Sequence, residues 1–141
     1  MEVAQCNTPA SVAFNFVVAV LEKDYDRMYS YMSSEGPQYL QYDMDKYEVK
    51  SLNALFSHEG KLHIFGWQPA LYQGCEVAVL YVQDEGMYDG VEYKKVYIGC
   101  VPSSQIGVAG FQDIDRCDNY ETNVKVMVTQ ENGKWRVAGF K

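Results

Sequence analysis

The spacing of apolar positions along this chain changes once, near residue 60. Before that point apolar residues recur every three or four positions; after it they alternate or run together. In "NTPASVAFNFVVAVLEKD", Val12, Ala13, Phe16, Val17, Val20 and Leu21 fall at helical spacing, Thr8 can cap, and Pro9 suits the first helical position, where no amide hydrogen is needed. Phe14, Val18 and Ala19 occupy other faces, which predicts a helix buried on most of its circumference. A second helix is predicted in "DYDRMYSYMSSEG", where Asp24 caps, Tyr25, Met28, Tyr29 and Met32 make an i, i+3, i+4, i+7 stripe, and Gly36-Pro37 ends it. "QYLQYD" reads equally as a short strand or a helix entry. A third helix is predicted from the capping-box spacing of Asp45 and Glu48, the stripe Val49, Leu52 and Phe56, and a stop at Gly60.

Beyond Gly60, "KLHIFGWQ", "CEVAVLYVQDE", "GVEYKKVYIGCV", "SQIGVAGFQ" and the two arms of "TNVKVMVTQENGKWRVAGFK" read as about six strands, with a turn at Asp89-Gly90. "EVAVLYV" is almost continuously apolar, which predicts a central strand covered on both faces. Asn132-Gly133 tolerates the two positive φ angles of a type I′ turn, so the last two arms form a hairpin. That turn pairs Glu131 with Lys134, Gln130 with Trp135, Thr129 with Arg136 and Val128 with Val137. Val124, Val126, Val128, Trp135 and Val137 then share a core face; Lys125, Thr129, Glu131, Lys134 and Arg136 share a wet one. Met127, Ala138 and Phe140 interrupt the wet face, which marks them as interface candidates under a partner chain or a loop, unless they are scattered exposed apolar residues. Helices first and strands after predict a single α+β domain over 1–141, with the helices on one face of a curved, mostly antiparallel sheet.

At 141 residues with 48% hydrophobic and 22% charged positions, the chain can bury a core, which argues against disorder. A net charge of −7 argues against binding a phosphate backbone, so nucleic acid is not an expected partner. No apolar run approaches the roughly 20 residues that span a bilayer. "MEVAQC" lacks the basic and apolar regions of a secretory signal, although a signal removed upstream of Met1 leaves export open. Cys6, Cys75, Cys100 and Cys117 have no CxxC spacing, and neither a metal site nor a cofactor is expected from them. Outside the cytoplasm the preferred bridge is Cys100 to Cys117; in a reducing compartment all four are thiols.

The stretch "FVVAVLEKDYD" at 16–26, the short helix ending "YMS" at 31–33, a third helix, and a sheet ending "GKWRV" at 133–137 resemble the nuclear transport factor 2-like (cystatin-like fold) superfamily, above all its small bacterial exported and lipoprotein domains of unknown function. The resemblance spans nearly the whole chain and rests on element order rather than on a catalytic motif. It implies a cone-shaped α+β fold, helices against a strongly curved sheet, with a pocket between them and an extracytoplasmic location. Fold alone does not choose a function within it.

In "LHIFGW", alternation puts His63, Phe65 and Trp67 on one face. If that face lines the cone, His63 is the best general acid or base and the three residues contact ligand; otherwise His63 is a satisfied histidine on the sheet. His58, near the third-helix end, reads at least as well as a capping cation. Tyr25 and Tyr29 sit on the helix that would flank the pocket and join the ligand-binding candidates, although most of the twelve tyrosines suit strands or core. Asp113, Asp115, Asp118 and Glu121 suggest calcium, but the sixth and twelfth positions of an EF-hand loop fall on Asp118 and Val124, and a solvated acidic loop is preferred. The expected function is a non-catalytic ligand-binding or interaction domain, homodimeric through the outer sheet face, taking a small apolar or mixed-polarity ligand. The alternatives are an isomerase, lyase or hydrolase working by proton transfer in the cone, with His63 or a pocket carboxylate as base and a tyrosine as donor, and an immunity or inhibitor protein whose acidic surface meets a basic partner.

Overall fold

The computed structural model describes residues 7–58, 74–102 and 124–140. Helix α1 (Pro9–Leu21) starts as its sequence dictates: Thr8 accepts from the Ser11 amide and Ser11 answers the Thr8 amide, a reciprocal cap. None of its thirteen residues is exposed, because α1 lies across all four described strands and against α2. Lys23 turns the chain through a left-handed conformation, and Asp24 caps α2 (Tyr25–Ser30). Gly36-Pro37, expected to end α2, instead opens α3 (Gly36–Lys46), with Pro37 in its first turn. "QYLQYD" is therefore helical and Asp45 is interior to α3. Glu48, at φ +57, breaks the run, and Ser51 caps α4 (Leu52–Ser57).

Strands β1 (Cys75–Tyr88), β2 (Val91–Pro102), β3 (Val124–Glu131) and β4 (Lys134–Phe140) form one antiparallel sheet in sequence order. Asp89-Gly90 and Asn132-Gly133 make the two hairpin turns with paired positive φ, and the final hairpin has the register expected from its turn. The α+β class stands. The strongly curved sheet of about six strands and the cone implied by the likeness to the nuclear transport factor 2-like superfamily do not: the described sheet has four strands and is neither closed nor strongly curled. In a meander β1 and β4 never meet, and the ordinary twist between four neighbours falls short of the tilt and stagger that closure needs. "KLHIFGWQ" and "SQIGVAGFQ" lie outside the described residues. Among the described strands "EVAVLYV" lies in β1, first in the sheet rather than central. Its apolar residues divide between faces: Val77, Val79 and Val82 meet the main core, while Leu80 gathers Ala78, Tyr81 and Tyr97 on the opposite face after a bulge between Val79 and Tyr81.

The core joins Phe16, Val17 and Val20 of α1 to Val96, Ile98, Val126, Val128 and Val137 of the sheet, with Met28, Leu40, Leu55 and Phe56 from the other helices. Phe140, expected on the outer face, belongs here. Val128 pairs Val137 and Met127 pairs Gly139, so Ala138 is an extra residue and the bulge returns Phe140 to the core face. Its ring lies 5.4 Å from Phe16 and 5.7 Å from Phe56.

The outer edge of β4 is closed without another strand. The Asn7 side chain accepts from the Trp135 amide (2.7 Å) and donates to its carbonyl (3.2 Å). Val137 donates to Tyr31 O (2.8 Å) and accepts from Ser33 N (2.9 Å). Past the bulge, the Tyr39 hydroxyl donates to Phe140 O (3.0 Å) and accepts from Phe140 N (3.3 Å). These four residues meet backbone groups that an edge strand would otherwise offer to another chain.

Candidate functional site

With Ser33 and Tyr39 docked this way, α3 runs along β4 and overhangs the sheet face opposite α1. The overhang leaves a cleft of about 970 Å³ between α3 and the outer face. Tyr39, Tyr42, Asp43 and Lys46 of α3, followed by Tyr47, form one wall; these α3 positions are again i, i+3, i+4 and i+7. The floor is Tyr93 and Lys95 of β2, Lys125, Met127, Thr129 and Glu131 of β3, and Ala138 and Gly139 of β4. The approach is close at Gly139, where a Cβ would stand 3.2 Å from the Tyr39 ring and the ring would have to give by a few tenths of an ångström.

The two ends of the cleft differ in charge. Where α3 begins, Glu131 accepts from the Ser34 amide (3.1 and 3.2 Å) and hydroxyl (2.9 Å). That backbone bond, then the hydroxyl, holds the Glu131 carboxyl below its ordinary value, with a smaller share from Arg136. Glu35 lies at the same end. Tyr39 meets Gly139, which pairs Met127, so α3 travels from the Glu131 level of β3 toward the Lys125 level. At the far end Lys46 sits over the Tyr47 ring (5.5 Å) and Lys125 over the Tyr97 ring (5.7 Å). Lys95, between the ends, forms an ion pair with Glu85 at 3.0 Å, and this contact raises its pKa. Asp43 is 4% exposed and has an interaction of its own, while its Oδ2 is buried without a hydrogen bond.

Of the residues the sequence points to, Met127 and Ala138 line this cleft, and Phe140, although its ring is in the core, borders it as well. Tyr25 does not: its ring stacks on Phe56 and its hydroxyl donates to Asn53 Oδ1. Tyr29 packs half-buried on the core, and burial raises the pKa of both phenols. His58 caps α4, with its ring 4.5 Å from Tyr47. His63, Phe65, Trp67, the acidic residues 113–121, Cys6 and Cys117 lie outside the described residues. Among the described residues no cluster of His, Cys, Asp and Glu could hold a metal ion, and no helix is long and apolar enough to cross a membrane. The α3 wall does not follow from the sequence reading, because "QYLQYD" fits a short strand and a helix entry equally. Its signal was the second helical stripe at 39, 42, 43 and 46. No family model matches the chain, and no curated protein or solved structure matches it.

Proposed function

We propose that this chain is a binding domain whose ligand occupies the cleft between α3 and the outer sheet face. The supporting observation is the cleft itself: about 970 Å³, walled by Tyr39, Tyr42, Tyr47 and Tyr93 around Met127, with charged groups at its ends. Tyrosine offers a flat apolar ring and a hydroxyl together, which suits a ligand of mixed polarity, and the volume is that of an ordinary small-molecule site. The test is an NMR titration with N-phenyl-1-naphthylamine, a neutral apolar probe. Saturable amide shifts at Met127, Thr129, Ala138 and along Tyr39–Tyr47 are expected; shifts absent from these positions would refute the reading.

A second reading, a homodimer through the outer face, draws on the rim. Tyr42 is 66% exposed, and Tyr88, 59% exposed, packs edge-on against Tyr93 of the floor at 5.6 Å. With the β4 edge satisfied by Asn7, Tyr31, Ser33 and Tyr39, a second copy would meet this face rather than extend the sheet there. Light scattering that gives a strict monomer at high concentration rejects the dimer.

A further inference from the structure

We infer that the ligand is a small amphipathic organic acid, a flat apolar body carrying one carboxylate or sulfonate, with its anionic group at the Lys46–Lys125 end of the cleft. This deepens the binding reading above and rests on it. In a chain of net charge −7, Lys46 and Lys125 are two cleft-lining ammonium groups with no carboxylate partner among the described residues, each lying over a tyrosine ring. The other cleft lysine is already matched, since Lys95 pairs Glu85. The carboxylates that would repel an anion lie elsewhere or are engaged. Glu131 is held by Ser34 at the opposite end with Glu35 nearby; Asp43, one turn before Lys46, is buried with an interaction of its own, although its Oδ2 accepts no hydrogen bond.

The geometry separates these ends. Seven residues of α3 from Tyr39 to Lys46 rise about 10 Å, and the six residues of β3 from Glu131 to Lys125 extend about 20 Å. Between them lie Met127 and the ring of Tyr39, an apolar surface for the body of the ligand. A neutral ligand would leave both ammonium groups unused, and a cation would be repelled at that end. Lys46 lies in the last turn of α3, where the terminal carbonyls already draw on its charge, so Lys125 supplies the larger share of the attraction.

The closing experiment compares two dyes with the same rings: 8-anilinonaphthalene-1-sulfonate and N-phenyl-1-naphthylamine, which lacks the sulfonate. Both should bind one per chain, with the sulfonate about three- to tenfold tighter, the scale of a partly exposed charge contact. Lys125→Met should remove most of that preference and Lys46→Met a smaller part, read in each variant as the ratio of the two dyes' affinities. Melting curves confirm that each variant folds, and either one suffices if the other does not. A sulfonate no tighter than the neutral dye, or variants that weaken both dyes equally, would overturn the anion assignment while leaving the cleft a binding site. If neither dye binds at the cleft, the binding reading itself fails.

Discussion

Tyr39→Phe isolates a single hydroxyl that serves two backbone groups. The ring, edge-on to Phe140 at 5.3 Å, stays in place, so no cavity opens and apolar contact is retained. What is lost is the donation to Phe140 O and the acceptance from Phe140 N, on a residue only 3% exposed. A hydrogen bond contributes a net of about 0.5–1.5 kcal/mol, and a buried group left unmet costs toward the upper end or beyond. Two such losses predict a destabilisation of about 1–3 kcal/mol. For a chain of this size that lowers Tm by roughly 3–4 °C per kcal/mol. Equilibrium urea unfolding should show the midpoint falling with the m-value unchanged, and hydrogen exchange should show the Phe140 amide losing protection before the rest of β4. Tyr42→Phe, on the exposed side of the same helix, is the control and should leave stability unaltered within about 0.3 kcal/mol. If Tyr39→Phe behaves like Tyr42→Phe, the hydroxyl does not close the edge, and the account of how α3 is held over the cleft is wrong.

Two further outcomes follow from neighbouring contacts. Gly36→Ala would place a Cβ 2.7 Å from the Met32 Cβ, where neither atom is the end of a flexible chain; α3 must shift from its start, and a loss of about 1–3 kcal/mol is expected by thermal unfolding despite alanine's better helix propensity. Glu131 has a folded pKa below its ordinary 4.5, so its contacts stabilise the fold fully above that value and progressively less as pH falls through the depressed one. Glu131→Gln should therefore melt lower than the parent at pH 7, with the gap narrowing on acidification below pH 4.5; a gap independent of pH would mean that the charge is not what Ser34 recognises.

The readable parts of the fold were those where the cause is local. Thr8 and Pro9, Asp24, Asp89-Gly90 and Asn132-Gly133 each act within three or four residues, and each was found where the chain pattern put it. The all-round burial of α1 was readable too, since no face of Pro9–Leu21 is polar enough to face water. The start of α3 was misplaced because Gly36-Pro37 is equally good as a stop and as a first turn. Local chemistry does not choose between them. The choice falls to Met32 and Ser33, whose docking beside Val137 ends α2 and brings Gly36 against the Met32 side chain.

The sequence by itself determined the caps of α1 and α2, the two hairpin turns, the register of the last hairpin and the valine face it turns inward, because first-turn capping, turn φ angles and strand alternation are properties of adjacent residues. The tertiary structure alone decided the rest of the site. One extra residue, Ala138, reverses the alternation and carries Phe140 from the wet face to the core, and nothing in the local pattern announces it. The tyrosine and lysine wall of α3 faces the outer sheet only because Tyr39 reaches Phe140 across 101 residues of sequence, a contact whose partners are chosen by packing rather than by spacing.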